Sequence, residues 1–317
     1  MDDGPSILEL TSRSERGDAE AMYLLGRRYY EGDGVDQSIP QAIRLTREAA
    51  ELGNPAAEYT FGFFLCYGIG VTTDKVAAIR WYRKAANQGF VEAQYGLGYM
   101  CDVGEGVKVN KMEAAKWYHL AANQGHAGAQ CNLGNLYYNG WGVRLDKTEA
   151  ARLFRLAAEQ GNPDALFNLG RMYETGDGVP RDDRKAMEYY SQAAEHNDAA
   201  ALYSLGLRYH TGTGVRQDDV LAAKMFSASA SLGNDMAMCN LGYMYYYGLG
   251  VEKDLFTAAK LYGQAAHKWN AQAIFYLGTM YLNGEGLKQD YHKGIGLIKL
   301  AAELGNEDAI QTLDAQK

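Results

Sequence analysis

The side chains best able to act as metal ligands, bases or nucleophiles are six histidines and four cysteines. None of them follows the His-x-x-x-His or Cys-x-x-Cys spacing of metal sites. The serines, histidines and acids that a catalytic triad needs fall in unrelated segments. We therefore expect no catalytic residue, no metal and no cofactor. The alternative is a hydrolase or a small-molecule binder that uses His210 or an acid such as Glu174.

Gly-x-Gly pairs are the next motif with a chemical meaning, because glycine-rich loops can bind phosphate groups. None of the pairs is followed directly by Lys-Ser or Lys-Thr, which a phosphate-binding loop requires. The pairs instead recur at a constant step of 36 residues and begin at Gly32, Gly68, Gly104, Gly140, Gly176, Gly212, Gly248 and Gly284. A second glycine series with the same step runs from Gly26 to Gly278. A fixed period of this length is typical of a repeat protein.

The first segment of each repeat has the pattern of an amphipathic helix. In the first copy Ala21, Leu25 and Tyr29 recur at helical spacing and form one apolar stripe. The helix is predicted to stop at the Gly-x-Gly loop, because glycine adopts left-handed torsions at low cost. Residues that favour helix N-caps precede most copies, namely Asp18, Asn54, His126, Asn162, Asp198, Asn234, Asn270 and Asn306.

The second segment of each repeat is also predicted to be helical. Its cap residues are Asp74, Asn110, Asp146, Asp182, Asp218, Asp254 and Asp290. Glu113 and Glu149 stand three residues after their caps and predict capping boxes. A large pair such as Trp117-Tyr118 and a small Ala-Ala pair follow. One hairpin of two such helices cannot bury its apolar stripe, so the repeats must stack.

The run Ala-x-x-x-Leu-Gly-x-x-Tyr-x-x-Gly-x-Gly-Val, followed by Asp or Asn, an aromatic residue and Ala-Ala-x-x-Gly, resembles the Sel-1-like repeat family, close kin of the tetratricopeptide repeats. The resemblance implies an all-α fold, an α/α right-handed superhelix (solenoid) of eight 36-residue helix-turn-helix repeats. It also implies that the first helices line a concave face and that the chain is an adaptor or scaffold. The secreted branch of the family has a cysteine pair in each repeat. This chain lacks such pairs, so the ligand-binding role of that branch is not carried over.

The period divides the chain into eight repeats flanked by two degenerate capping helices. The N-terminal cap is expected over residues 1–17 and the C-terminal cap over residues 306–317. The repeats are expected at about 18–53, 54–89, 90–125, 126–161, 162–197, 198–233, 234–269 and 270–305. Degenerate ends favour a capped monomer, and a dimer is left open.

Composition and charge argue against several kinds of partner. Lys and Arg number 31 against 39 Asp and Glu, and the net charge of −8 opposes a nucleic-acid backbone. No apolar stretch approaches the roughly 20 residues that a membrane span needs. The unpatterned cysteines indicate a reducing compartment, and the acidic N-terminus is unlike a signal peptide. We expect a cytoplasmic protein, unless an export signal has been removed, whose partner is another protein or peptide.

The candidate binding site lies on the side of the first helices opposite the apolar stripe. The series that starts at Tyr23 is nearly all aromatic, which favours a packing role, whereas the neighbouring series vary as a specific site would. Exposed tyrosine together with arginine is typical of interaction hot spots. The predicted partner-binding residues are Arg27, Tyr30, Phe63, Tyr67, Tyr99, Tyr138, Arg171, His210, Tyr243, Tyr246 and Tyr247. The alternative is that half of the rings pack on neighbouring helices and that acids such as Glu31 and Glu174 pair with the arginines, among them Arg208.

Trp269 departs from the repeat pattern, because most copies have glycine at its position. Asn197 replaces the same glycine in another copy, and asparagine tolerates left-handed torsions where tryptophan resists them. Either the turn at residues 268–270 is reshaped, or Trp269 is an exposed anchor.

The leading hypothesis for function is a non-enzymatic adaptor that binds a partner peptide or protein in the concave groove. The resemblance to the repeat family and the aromatic series both support it. A narrower alternative, known from some members of the family, is a bacterial immunity or chaperone-like protein that neutralises or escorts a secreted effector or toxin. No single residue distinguishes the two.

Overall fold

A computed structural model describes residues 5–315, and all regular secondary structure in this range is α-helical. The chain forms two compact units, residues 1–162 (unit 1) and residues 163–317 (unit 2). The expected capping segments extend past the described range at residues 1–4 and 316–317. The prediction of an all-α repeat fold is confirmed.

Unit 1 contains one leading helix and four helical hairpins in its described part. The helices are α1 (Ile7–Glu15), α2 (Ala19–Glu31), α3 (Ile39–Glu51), α4 (Pro55–Tyr67), α5 (Lys75–Asn87), α6 (Val91–Val103), α7 (Lys111–Asn123), α8 (Ala127–Asn139) and α9 (Lys147–Ala158). The first helices α2, α4, α6 and α8 each pack on the second helix that follows. Each second helix up to α7 also packs on the next first helix, so the hairpins stack within the unit.

Unit 2 repeats this arrangement and closes with a short helix in its described part. The helices are α10 (Pro163–Thr175), α11 (Asp183–Glu195), α12 (Ala199–Thr211), α13 (Asp219–Ser231), α14 (Asp235–Tyr247), α15 (Leu255–Ala266), α16 (Ala271–Asn283), α17 (Tyr291–Glu303) and α18 (Glu307–Asp314). The first helices are α10, α12, α14 and α16. The second helices are α11, α13, α15 and α17, and α18 packs on α17 as a further first helix would.

The predicted cap residues start the second helices as expected. Asp146 Oδ1, for example, accepts a hydrogen bond of 2.9 Å from the backbone N–H of Glu149. Such a bond satisfies one of the donors that a helix N-terminus leaves without an intrahelical partner. The caps of α5, α7, α9, α11, α13, α15 and α17 all accept bonds of this kind.

The capping boxes predicted at Glu113 and Glu149 are wrong. Glu113 Oε1 lies 2.9 Å from Arg83 Nη2, and Glu149 Oε1 lies 2.7 Å from Arg152 Nη2. The reciprocal bond of a capping box needs the N–H of the cap residue. In both repeats that N–H already donates to a backbone carbonyl nine residues earlier, near the end of the preceding first helix. The Asp146 N–H, for example, donates to the carbonyl of Tyr137 at 3.0 Å. The glutamates are therefore left to pair with arginines.

The turn after each second helix needs a left-handed residue, and Trp269 adopts that conformation. Its φ is 65° and that of Asn197 is 59°, both in the left-handed region, as is the 91° of Gly233 in the turn between α13 and α14. The Trp269 N–H donates to the carbonyl of Ala266 at 2.9 Å, the bond that Gly233 also makes with its own counterpart. The reshaped turn that we considered is therefore wrong. Trp269 is 67% exposed.

Six of the eight hairpins have a close contact between a glycine of the first helix and a ring of the second, whereas Gly26 faces Thr46 and Gly278 faces Ile298 at the same positions. A Cβ atom at Gly98 of α6 would lie 2.7 Å from Cδ1 of Tyr118, and one at Gly170 would lie 2.6 Å from Cδ1 of Tyr190. Both rings are fully buried. Only glycine lets the backbone of the first helix approach the ring so closely, which explains the glycine series from Gly62 to Gly242.

Buried side-chain amides join successive repeats of unit 1. Gln124 Nε2 donates to Gln94 Oε1 at 2.8 Å, and Gln94 Nε2 donates to the carbonyl of Ala86 in the preceding repeat at 3.2 Å. One repeat earlier Gln88 donates to the buried carboxylate of Glu58 at 2.8 Å. Burial raises the pKa of Glu58, because the charged form loses its water there.

Candidate functional site

An aromatic pair stands on the exposed side of α4. The rings of Phe63 and Tyr67, one helical turn apart, have centroids 4.5 Å apart and planes inclined by 49°. Tyr67 is 64% exposed and Phe63 is partly buried. A large ring that is exposed and already held by a neighbouring ring has little conformational freedom to lose on binding. We call the exposed side of the first helices, opposite the buried stripe, the first-helix face.

Three of the predicted residues surround a pocket of about 330 Å³ in unit 1. Arg27, Tyr30 and Phe63 line it from two successive first helices. Arg27 Nε donates to Glu31 Oε1 at 3.2 Å, so the guanidinium has an acidic partner one turn away. The Tyr30 ring lies 5.5 Å from the ring of buried Phe64. The pocket therefore combines aromatic walls with one exposed ion pair.

Unit 2 carries the same aromatic pair on α14. The rings of Tyr243 and Tyr247 have centroids 4.6 Å apart and planes inclined by 53°. They occupy the repeat positions of Phe63 and Tyr67, and Tyr247 is 56% exposed. The same contact geometry is thus present in both units.

Tyr246, the third member of the predicted cluster, is engaged within unit 2. Its hydroxyl donates to Glu285 Oε2 at 2.7 Å, and this bond raises the pKa of Tyr246 to about 12. Its ring meets that of Tyr247 edge-on, with centroids 4.8 Å apart. Tyr246 is partly buried, so its main contribution is to pack against Tyr247 rather than to contact a partner directly.

A second pocket, of about 410 Å³, lies in unit 2. Its lining includes the predicted residues His210 and Tyr243, together with Tyr203 and Asn240. His210 Nδ1 lies 2.7 Å from Asp219 Oδ1, so an acid orients the imidazole. The pocket can offer both aromatic surface and hydrogen-bonding groups to a ligand.

Cys239 also lines this pocket, which places a thiol in the same cavity as a histidine paired with an acid. Burial raises the pKa of Cys239 to about 12, since the thiolate would lose its water. The thiol is therefore protonated at neutral pH, and a protonated thiol is a poor nucleophile. The geometry favours a role of Cys239 as a small core residue.

The remaining predicted residues lie outside both pockets. Tyr99 of α6 is 44% exposed. The ring of Tyr138, on α8, lies beneath the ammonium group of Lys147, which is 5.2 Å from its centroid. Arg171 is exposed on α10 in unit 2. The structure thus gathers five of the eleven predicted residues into two pockets and leaves the others distributed along the first helices.

Two kinds of pocket residue were missed from the sequence. Tyr59 belongs to the series assigned to packing, and its ring stacks on that of Tyr82 at 5.2 Å, yet it also lines the unit 1 pocket. Thr60 and Asn240 share the next repeat position and line the unit 1 and unit 2 pockets respectively. A polar residue directly after the aromatic series was the signal that could have found them.

Arg208 lies in the core rather than on the first-helix face. Its side chain is 3% exposed, and Nη2 is 2.9 Å from Glu174 Oε1. The hydroxyl of buried Tyr190 donates to the other oxygen of Glu174 at 2.6 Å. Within residues 5–315, neither Nε nor Nη2 of Arg208 has an acceptor in hydrogen-bonding geometry. Arg208 occupies a core position that is methionine in four other repeats.

In residues 5–315, no group of three or more His, Cys, Asp or Glu side chains could hold a metal ion. Every helix in the same range is too short or too polar to cross a bilayer. All four cysteines are buried, and none of them forms a disulfide.

One family model matches the chain along most of its length. The Sel1 repeat model matches residues 19–54, 55–90, 91–126, 127–162, 163–198, 199–234, 235–268 and 271–306. A search of curated proteins finds no significant match.

Two solved structures are similar over nearly the whole chain. The protein c5321, a protective antigen present in uropathogenic Escherichia coli strains and displaying an SLR fold, is 36% identical with a TM-score of 0.89, over 98% of this chain and 67% of its own. A Sel1 repeat protein from Oxalobacter formigenes is 31% identical with a TM-score of 0.73, over 99% of this chain and 91% of its own. The expected solenoid fold and its repeats are confirmed, and the chain belongs to the Sel1 repeat family.

Proposed function

We propose that the chain is a non-enzymatic scaffold that binds another protein or peptide on its first-helix face. Sel1 repeat proteins are in general protein-interaction scaffolds. The observation that carries the proposal is the recurrence of one aromatic pair with an exposed tyrosine, Phe63 with Tyr67 in unit 1 and Tyr243 with Tyr247 in unit 2. Each pair lies on or beside a pocket of a size that can hold a side chain of a partner.

The energetics of binding favour these pairs over the rest of the face. Exposed tyrosines at the centre of an interface cost about 2 kcal/mol or more when truncated, because they bury a large area at a small entropic cost. The same repeat positions hold Asn135 and Asn139 in the fourth repeat and Thr279 and Asn283 in the eighth. Such short polar side chains bury less apolar area, so we expect them to contribute little.

The test is affinity capture from native lysate with the intact chain, followed by measurement of the purified partner. The variant Tyr243→Ala/Tyr247→Ala should weaken partner binding by about 30-fold or more, as a loss of about 2 kcal/mol predicts. Tyr246 is left unchanged because its hydroxyl bonds within the unit. The matched control is Asn135→Ala/Asn139→Ala, which alters the same two repeat positions and should bind as the intact chain does.

The circular dichroism spectra of both variants must show the same helical signal as the intact chain, so that a loss of binding is not a loss of folding. Equal loss of binding in both variants would argue against the aromatic pair as the contact, and undiminished binding by the tyrosine variant would overturn the assignment of this site.

We further propose a cytoplasmic location, which the four cysteines without a disulfide support. The partner is proposed to be a protein rather than nucleic acid, because the net charge is −8. A capped monomer and the narrower role of neutralising or escorting a secreted effector or toxin stay predictions. Co-expression with a neighbouring gene product that is toxic alone would test that role.

A further inference from the structure

A pocket of about 470 Å³ in unit 2 belongs to neither of the two pockets above. Its lining comes from the second helices α15 and α17, from Ile274, Leu277 and Tyr281 of α16, and from connecting residues such as Trp269. Leu277 and Tyr281 occupy the apolar-stripe positions of Leu25 and Tyr29, on the side opposite the first-helix face, and Ile274 directly follows the stripe position of Ala273. The pocket therefore opens on a different surface from the proposed partner site.

A glycine in the middle of α15 helps to open this pocket. Gly263 stands where the other second helices carry Arg47, Arg83, His119, Arg155, Ser191, Ser227 and Lys299. A Cβ atom at Gly263 would meet no other atom within 4 Å, so packing inside the protein does not require glycine here. Glycine in a helix interior costs about 1 kcal/mol relative to alanine. The residue is unfavourable for the helix and favourable for free space in the pocket.

Two exposed aromatic rings flank the same space. Trp269 and Phe256 both line the pocket, and each is 67% exposed. Trp269 also holds φ at 65°, a conformation that costs a bulky residue about 1–3 kcal/mol. Strain of this kind is concentrated at functional sites, and the turn itself would accept glycine.

The charge around the pocket is one-sided. Among the described residues, its lining includes Lys260, Lys293 and His267 and no acid, in a chain where acids outnumber bases by 39 to 31. Lys293 Nζ lies 2.7 Å from the hydroxyl of Tyr281 and 4.2 Å from the centroid of its ring. An anion is therefore the complementary ligand.

We propose that this pocket binds a small organic anion with an apolar body, such as an alkyl or aryl carboxylate. Its volume and its apolar lining with a few polar groups match those of small-molecule sites, which span about 300–1,000 Å³. The apolar body would contact Phe256 and Trp269, and the carboxylate would be attracted by Lys260 and Lys293. The inference does not depend on the partner site of the first-helix face.

The test uses the full chain and the fluorescent anion 1-anilinonaphthalene-8-sulfonate as the probe. Octanoate should displace the probe, and 1-octanol, which has the same chain without the charge, should compete at least about tenfold more weakly. Equal competition by the two compounds would refute the charge argument. Failure of octanoate to displace the probe would refute the site.

Variants place the site within the chain. Trp269→Gly restores the usual turn residue and relieves the backbone strain, so the fold is retained, and it should weaken octanoate binding by about tenfold or more. Gly263→Leu fills the pocket and should do the same. The control Trp141→Thr removes another exposed tryptophan, in unit 1, and should change nothing. Octanoate binding that both unit 2 variants leave intact would overturn the proposal.

Discussion

Replacing Gly98 by alanine adds one methyl group where α6 meets the ring of Tyr118. The new Cβ atom would lie 2.7 Å from Cδ1 and 2.8 Å from Cε1 of this fully buried ring. Real Cβ atoms do not approach a ring so closely, and the overpacking costs about 1–3 kcal/mol. Alanine gains about 1 kcal/mol of helix propensity over glycine, so the net destabilisation is about 0–2 kcal/mol.

Gly96, two residues earlier in the same helix, is the matched control. A Cβ atom there would lie 3.6 Å from the ring of Tyr82, which is an ordinary van der Waals contact. Gly96→Ala therefore keeps the propensity gain and should stabilise unit 1 by about 0.5–1 kcal/mol. Both variants add one methyl group to α6, but only the methyl group at residue 98 clashes with a ring.

The assay is urea unfolding followed by circular dichroism, with thermal melts alongside. The midpoint of Gly96→Ala should rise above that of the intact chain, and that of Gly98→Ala should fall below that of Gly96→Ala by the equivalent of about 1–3 kcal/mol. In a unit of this size 1 kcal/mol corresponds to about 2–4 °C in Tm. Equal stability of the two variants would show that the ring moves aside freely and would refute the packing argument.

Two further predictions concern buried charges. Glu58→Gln keeps the acceptor for Gln88 and should stabilise the protein at pH 7, because the raised pKa of Glu58 means that its ionised form is disfavoured in the folded state. The folded state binds the proton more tightly, so the gain should shrink as the pH falls through the raised pKa of Glu58 and be absent below about 4.5, the ordinary pKa of the group; a gain independent of pH in urea unfolding would contradict this. Arg208→Met should be neutral or stabilising, because both acids that it faces reach solvent and methionine is common at this repeat position. Glu174→Ala leaves the buried guanidinium of Arg208 without its nearest partner and should lower the free energy of unfolding by about 3–5 kcal/mol in the same assay. If Arg208→Met lost more stability than Glu174→Ala, this argument about the buried charge would be refuted.

The hairpins could be predicted from the sequence because their determinants are local. A cap such as Asp146 and a stop such as Gly140 act on backbone groups within a few residues. The pairing of Gly98 with Tyr118 recurs at the same spacing in other repeats, so the period shows it directly. The predicted capping boxes do not form, because the N–H of each cap residue donates to a carbonyl of the preceding helix. The pattern of residues within the capped helix does not reveal this bond.

The candidate site could be predicted only in part. The exposed face and the pair Tyr243 and Tyr247 follow from helical periodicity, since it shows which side of a helix is apolar. Periodicity does not show which exposed residues converge. Asn240 enters a pocket and Tyr246 turns to Glu285 because of packing between neighbouring repeats.

By itself the sequence determined the repeat, its two helices and the residues that start and stop them, since these depend on short-range backbone geometry. Only the tertiary structure decided the burial of Arg208, the left-handed turn at Trp269 and the pocket beside Gly263. The burial of Arg208 and the pocket depend on contacts between helices and on space left empty between them, whereas the turn at Trp269 was one of two outcomes that the sequence left open. A departure from the repeat pattern shows in the sequence where to look, and the packing around it determines what the departure does.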